Sequence, residues 1–95
     1  SNFKIVAACG ALNEGVVTPF STFDCDQQTV FINGKERKLP KEDHPMGILN
    51  VAQIVGKSSN RGAAHLAMKL GDQRYYEYVK AFGFGEVFGV VVASS

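Results

Sequence analysis

The segment from residue 3 to residue 14 constrains the fold most, because its side chains are apolar on nearly every side. It is rich in alanine and is followed by Gly15, a residue type that commonly ends helices. A helix without a polar face is stable only where other elements cover it from several directions. The segment therefore predicts a helix that is buried on several sides.

The next part of the chain favours short strands. Residues 22–38 contain a β-prone run, Thr29 to Ile32, followed by Asn33-Gly34, which is a strong hairpin signal. Residues 39–45 are polar and contain two prolines, so they predict an exposed loop. This part of the sequence therefore predicts a small β-hairpin.

The second half of the chain favours helices. Residues 47–56 predict a short helix, and Ser59 or Asn60 is suited to cap the helix that follows it. Apolar residues then recur at helical spacing as far as Gly71, and a further helix is expected from Asp72. Residues 87–93 are β-branched and suit a strand. We therefore predict a mainly helical α+β fold in a single domain over residues 1–95.

Composition excludes several classes of function. The chain has 95 residues, of which 45% are apolar and 20% charged, as in an ordinary globular domain with a modest core. The net charge is +1 and no basic block is present, so we expect no nucleic-acid partner. No apolar run approaches the roughly 18 residues of a membrane span, and no secretory leader is apparent.

The cysteines and histidines do not predict a metal site. Cys9 and Cys25 could form one disulfide, but two free, buried thiols are the favoured interpretation. His44 and His65 are isolated and no Cys/His cluster has metal-ligand spacing, so we expect neither zinc nor another cofactor. No spacing supports Cys25 and His44 as a nucleophile and its base.

Two short motifs could carry chemistry. Ser1-Asn2-Phe3-Lys4 reads Ser-x-x-Lys, and Ser58-Ser59-Asn60 reads Ser-x-Asn. On a helix the lysine shares a face with the serine three residues earlier, and a desolvated lysine can accept the serine proton. The start of the helix also favours a developing oxyanion. The second motif would add a hydroxyl for proton relay and an amide to hold a substrate carbonyl.

Both motifs also have purely structural explanations. Ser1 could cap a helix, Ser1-Asn2 could be a remainder of cloning, and Lys4 could be an ordinary solvated lysine. The serines and asparagine at 58–60 are all good capping residues. The α-amine of Ser1 is an alternative local base, but the terminal position could equally leave the helix start frayed.

The chain resembles the class B penicillin-binding proteins, the peptidoglycan D,D-transpeptidases. The resemblance is carried by Ser-Asn-Phe-Lys-Ile-Val-Ala-Ala at the start, Lys-Ser-Ser-Asn-Arg-Gly in the middle and Phe-Gly-Phe-Gly after the last predicted helix, in order and spacing over about residues 1–86. It implies that Ser1 is the acylated nucleophile and Lys4 its base. It also implies that Ser58 is the second-motif serine and Asn60 the substrate-holding amide, while Ser59 is given no role.

The sequence departs from this family in places that bear on function. The family's third motif, Lys-Thr-Gly, does not occur, and residues 87–95 look like an unrelated tail after a transpeptidase-like fragment over residues 1–86. We therefore predict residual serine acyl chemistry on activated esters or related small acyl compounds, and reaction with β-lactams, rather than peptidoglycan cross-linking. The alternatives are a non-catalytic fragment and an interaction module that docks on a parent enzyme.

The same resemblance leads to a prediction of self-association. It implies that a β-sheet outside this sequence normally covers the apolar helix 3–14, and exposed apolar surface costs roughly 25 cal/mol per Å². We therefore predict a homo-oligomer, most simply a dimer, with domain swapping as one way to form it. The chain is expected to be soluble where it is made, whereas the parent family works in the cell envelope.

Overall fold

The apolar segment at the start of the chain forms the first helix, α1 (Asn2–Asn13), in the computed structural model, which describes residues 2–83, 86–87 and 90–91. Gly15 follows with a φ of +72°, the left-handed conformation that suits glycine at the end of a helix. The buried side of α1 consists of small residues, namely Val6, Ala7, Ala8 and Ala11. Ile5 and Leu12 stay 46% and 38% exposed, so the helix is covered on one side and only partly on the other.

Short antiparallel strand pairs follow α1. Strands β2 (Thr29–Ile32) and β3 (Lys35–Lys38) form the predicted hairpin, with Asn33 at φ +54° and Gly34 at φ +78° in its turn. Strand β1 (Thr22–Asp24) pairs instead with β4 (Ile48–Asn50), which lies more than twenty residues later. The prediction of a helix from residue 47 is therefore wrong in its first part, because residues 48–50 complete a strand pair.

The helices of the second half lie where the sequence places them, with one shifted start. Helix α2 (Val51–Gly56) begins at a capping box between Asn50 and Gln53. Helices α3 (Asn60–Leu70) and α4 (Asp72–Gly83) follow, and all three contact α1. Beyond them, β5 (Glu86–Val87) pairs antiparallel with β6 (Val90–Val91). The prediction of one continuous strand over residues 87–93 is therefore wrong, because Val87 and Val90 lie on two paired strands; residues 88–89 and 92–93 lie outside the described residues.

The core lies where α1, α2 and α3 meet the β1–β4 pair. Its largest fully buried side chains are those of Ile54, Leu66, Cys25 and Ser59. Gly62 allows α2 and α3 to approach closely, because a Cβ atom at this position would lie 2.6 Å from a side-chain carbon of Ile54. The described structure is therefore an α+β, mainly helical unit, as predicted.

Candidate active site

The first predicted motif lies at the start of α1. Lys4 is in the first turns of this helix and is partly buried. Ser1, the predicted nucleophile, lies outside the described residues. The structure therefore gives a position for the predicted base, whereas the role of Ser1 stays a prediction.

The second motif forms the junction between α2 and α3. The backbone N–H of Ser58 donates to the carbonyl oxygen of Val55 at 3.1 Å, and that of Ser59 donates to Ile54 at 2.9 Å. Together these are the two hydrogen bonds of a Schellman motif, in which the residue at the left-handed position is usually glycine. Here that residue is Ser58, with a φ of +55° and an exposed side chain.

Ser59, to which the resemblance gives no role, is the buried residue of the motif. Its hydroxyl oxygen accepts the backbone N–H of Gly62 at 2.9 Å, so Ser59 is the N-cap of α3. Its side chain is fully buried. The capping explanation of the motif therefore applies to Ser59. Ser58 does not cap α3, and its hydroxyl lies at the surface.

Asn60 is the first residue of α3 and is held from outside the helix. Its backbone N–H donates to Oε1 of Glu42 at 2.6 Å, and its side-chain Nδ2 donates to the carbonyl oxygen of Lys41 at 3.0 Å. Among the described residues, Asn60 Oδ1 has no hydrogen-bond partner. The amide group thus keeps an acceptor oxygen and a second N–H for a ligand.

Glu42 and Arg61 are site neighbours that sequence reasoning missed. Arg61 donates from Nε to the carbonyl oxygen of Pro40 at 2.8 Å, and its backbone N–H donates to Glu42 Oε1 at 3.2 Å. These contacts connect the predicted exposed loop to the second motif. Only the two adjacent acidic residues of this loop, Glu42 and Asp43, could have indicated them, and the sequence does not say which of the two contacts a helix or which helix it contacts.

An apolar groove of about 240 Å³ lies between α1 and α2. Its lining is formed by Ile5, Ala8, Cys9, Leu12, Pro19, Val51, Ala52 and Val55. Burial raises the pKa of the Cys9 thiol in this lining, so the thiol stays protonated near neutral pH. Phe20, directly after Pro19, is 88% exposed. The groove can therefore accept an apolar group and offers no charge to a polar one.

The two cysteines are free thiols, as the sequence favoured, but only Cys25 is buried as predicted, whereas Cys9 is partly buried. In the core, burial raises the pKa of Cys25, while a hydrogen bond with the Ser59 side chain acts in the opposite direction. Within the part of the chain that the structure describes, no group of three or more metal-ligating side chains comes together. Neither is any of its helices long and apolar enough to cross a membrane.

Comparison with known proteins identifies the class to which this arrangement belongs. The chain matches the penicillin binding protein transpeptidase domain over residues 1–94, and it therefore belongs to that family. The match extends into residues 87–95, which the sequence analysis assigned to an unrelated tail. The boundary at residue 86 between transpeptidase-like fragment and tail stays a prediction.

Individual relatives agree with this assignment. The chain is 29% identical over 90 residues to stage V sporulation protein D of Bacillus subtilis, covering 95% of this chain and 14% of that protein. It is also 29% identical over 87 residues to penicillin-binding protein PbpB of Mycobacterium tuberculosis, covering 92% of this chain and 12% of the relative. PbpB of Mycolicibacterium smegmatis matches at 29% over 83 residues. The chain thus spans a small part of the relatives it matches.

Proposed function

We propose that this chain carries out serine acyl transfer on small acyl compounds, hydrolysing activated esters and becoming acylated by β-lactams. Membership of the transpeptidase domain family supports the class of reaction. The backbone of Ser58 is the observation that carries the proposal for this chain. The family relation also favours the cell envelope as the place where such a protein works.

Ser58 occupies a backbone conformation in which glycine would be more stable. Among the described residues, the other positive-φ positions are four glycines and Asn33, a residue type that tolerates this region. A serine there costs roughly 1–2 kcal/mol through the contact of its Cβ with the backbone. Strained residues of this kind cluster at functional sites, where the side chain is needed despite its cost. The retained hydroxyl of Ser58 therefore supports a chemical role.

In the proposed reaction, the oxygen of Ser1 attacks the acyl carbon of the substrate while its proton passes to Lys4. A C–O bond forms to Ser1, and the ester C–O or lactam C–N bond breaks. Ser58 relays the proton to the leaving group, and the amide of Asn60 holds the substrate carbonyl. Water then attacks the acyl-serine, releasing the acid and restoring the hydroxyl. Each residue takes the part that the family relation supports for its position.

Hydrolysis of a chromogenic ester tests this proposal. The rate of ester hydrolysis, after the rate in buffer alone is subtracted, should be lower by a factor of about ten or more in Ser58→Ala than in the unaltered chain. The reason is that a group that transfers a proton contributes a factor of this size or more to the rate. Ser21→Ala is the matched control, because Ser21 is a partly buried loop serine that accepts a hydrogen bond from the backbone of Thr18. Equal rates in Ser58→Ala and the unaltered chain would exclude Ser58 from the reaction and favour the non-catalytic alternative.

The groove between α1 and α2 supports self-association as a second part of this proposal. Its volume of about 240 Å³ exceeds the roughly 150 Å³ of an apolar cavity that holds a benzene ring. Phe20 directly follows Pro19, which lines the groove, and is 88% exposed, so it offers such a ring to a neighbouring molecule. A two-fold dimer would place Phe20 of each copy in the groove of the other. A second copy of this chain is therefore the occupant we propose.

Sedimentation of the chain and two variants tests the dimer. Phe20→Ala should shift the protein to monomer at micromolar concentration, whereas Phe31→Ala should not, because Phe31 is similarly exposed at 73% but lies on the hairpin strand β2. Cys9 lines the groove, so its modification by a bulky maleimide should be slower in the dimer and recover in Phe20→Ala. A monomeric unaltered chain, or a dimer that survives Phe20→Ala, would contradict the proposal.

A further inference from the structure

We propose that Glu42 is a positioning residue of the second motif, which fixes the start of α3 and with it the side chain of Asn60. The inference rests on the proposed function, since it concerns how the same site is held in shape. Glu42 lies in the loop between β3 and β4, 18 residues before Asn60 in sequence. Its role is therefore carried by contacts that the fold creates.

The carboxylate of Glu42 completes the cap of α3. The first backbone N–H groups of a helix have no partner within the helix. At the start of α3, the hydroxyl oxygen of Ser59 accepts a hydrogen bond from the backbone N–H of Gly62. Oε1 of Glu42 accepts hydrogen bonds from the backbone N–H groups of Asn60 at 2.6 Å and Arg61 at 3.2 Å. A carboxylate at this end of a helix also interacts favourably with the helix dipole. Ser59 and Glu42 therefore cap the same helix together.

The loop residues beside Glu42 hold the side chains of the same two residues. The carbonyl oxygen of Lys41 accepts a hydrogen bond from Nδ2 of Asn60 at 3.0 Å. The carbonyl oxygen of Pro40 accepts one from Nε of Arg61 at 2.8 Å. Residues 40–42 therefore fix both the backbone and the side chain at the start of α3. A rotation of the Asn60 amide would break its hydrogen bond to this loop.

The far end of the loop is anchored as well. The two carboxylate oxygens of Asp26 accept the backbone N–H groups of Met46 at 2.7 Å and Gly47 at 3.0 Å. The carbonyl oxygen of Asp26 lies 3.3 Å from Nη1 of Arg61. The loop is thus tied to α3 at one end and to the turn after β1 at the other, so that Glu42 is presented in a fixed place.

Glu42 carries a feature that a simple surface cap would lack. Its second oxygen, Oε2, is buried and has no hydrogen-bond partner among the described residues. An unpaired buried carboxylate oxygen is costly, and surface caps normally leave it in water. The position is therefore better explained by what Glu42 does for Asn60 and Arg61 than by its own contribution to stability.

Amide hydrogen exchange measured by NMR tests this inference without requiring activity. In Glu42→Ala, the backbone amides of Asn60 and Arg61 should exchange about tenfold faster, since hydrogen bonds to a charged acceptor are lost. The Asn60 side-chain signals should also move toward those of a free amide. Asp43→Ala is the matched control, because Asp43 is the exposed acidic neighbour of Glu42. Glu42→Gln keeps an acceptor oxygen and should restore most of the protection. If Glu42→Ala fails to fold, the remaining loss of protection in Glu42→Gln is the test, because a neutral amide oxygen is a weaker acceptor than a carboxylate, and exchange equal to that of the unaltered chain would overturn the inference.

The acylation rate separates positioning from capping alone. If the unaltered chain is acylated, Glu42→Ala should have an acylation rate about tenfold lower, when both rates are expressed per folded molecule. Glu42→Gln should recover the rate of the unaltered chain. Unchanged exchange at Asn60 and Arg61, or faster exchange with an unchanged acylation rate, would overturn the inference. If no chain is acylated, the proposed function fails, and the Asn60 side-chain signals alone decide for or against Glu42.

Discussion

The backbone N–H of Ser59 donates to the carbonyl oxygen of Ile54 across 2.9 Å, so the residue that closes helix α2 is also the residue that caps helix α3. This relationship explains why two adjacent serines behave differently. Ser59 is buried, and its backbone and hydroxyl oxygen form hydrogen bonds with Ile54 and Gly62, whereas Ser58 is exposed and has a left-handed conformation. The structural and the chemical explanations of the second motif are thus compatible, because they apply to different residues.

Replacing Ser58 by glycine should stabilise the protein. Glycine adopts the φ of +55° without the Cβ contact, so the free energy of unfolding should rise by up to about 1 kcal/mol. Ser58→Ala keeps the Cβ atom and should leave stability within about 0.5 kcal/mol of the unaltered chain. Urea denaturation of the three proteins checks this. A less stable Ser58→Gly variant would mean that the serine holds the turn and is not under strain.

Replacing Ser59 by alanine should destabilise the protein although the neighbouring serine tolerates the change. The variant loses the N-cap of α3 and leaves the buried N–H of Gly62 without its acceptor. We expect a loss of about 1–2 kcal/mol in the free energy of unfolding. Ser58→Ala is the internal control in the same denaturation series. Equal stability of the two alanine variants would argue against the division of roles described above.

Gly62 should be intolerant of even one added carbon. A Cβ atom at this position would lie 2.6–2.9 Å from three side-chain carbons of Ile54, so Gly62→Ala should cost about 1–3 kcal/mol. Combining it with Ile54→Val should cost less than the sum of the two single changes, because the shortened side chain makes room. Gly56→Ala at the end of α2 meets nothing within 4 Å and should be neutral or stabilising.

The buried thiol of Cys25 and the partly buried thiol of Cys9 should make stability fall in alkaline solution. Burial raises the folded-state pKa of Cys25 above its ordinary value of 9.0, and Cys9 shifts in the same direction. The unfolded chain therefore loses these protons first, and the stabilisation present below about pH 9 is lost as the pH rises further. Thermal unfolding of the unaltered chain and of a Cys9→Ala/Cys25→Ala double variant measures this.

The double variant should show a shallower decline between about pH 8 and pH 10, even if it is less stable at neutral pH. Tyr75 and Tyr78 also have a raised pKa through burial and add to the decline only above pH 10. The range below pH 10 therefore isolates the thiols. Parallel curves for both proteins across this range would show that the cysteines do not account for the dependence.

The sequence predicted best the features that local residues determine. The Asn33-Gly34 turn and the break at Gly71 depend on neighbouring residues and were found where predicted. The start of α2 was missed even though Asn50 and Gln53 have the spacing of a capping box. The residues before it are recruited into a strand by β1, a partner more than twenty residues away that no local pattern reveals.

The same distinction applies to the site. Lys4, Ser58 and Asn60 could be named as candidates from short motifs, because family resemblance is carried by adjacent residues, and their roles stay predictions. The sequence named Ser59 or Asn60 as the cap of α3 and could not decide between them, since only burial decides which capping residue faces the core. Glu42 could not be found either, because its contact with Asn60 exists only after the loop folds back onto α3.

The measurement that tests the account most directly is the intact mass of the protein after incubation with an activated ester and, in parallel, a penicillin. The account predicts one acyl group per chain, mapped to Ser1, absent in Ser1→Ala and formed more slowly in Lys4→Ala and Ser58→Ala. No adduct, or modification scattered over lysines, would contradict serine acyl chemistry in this chain.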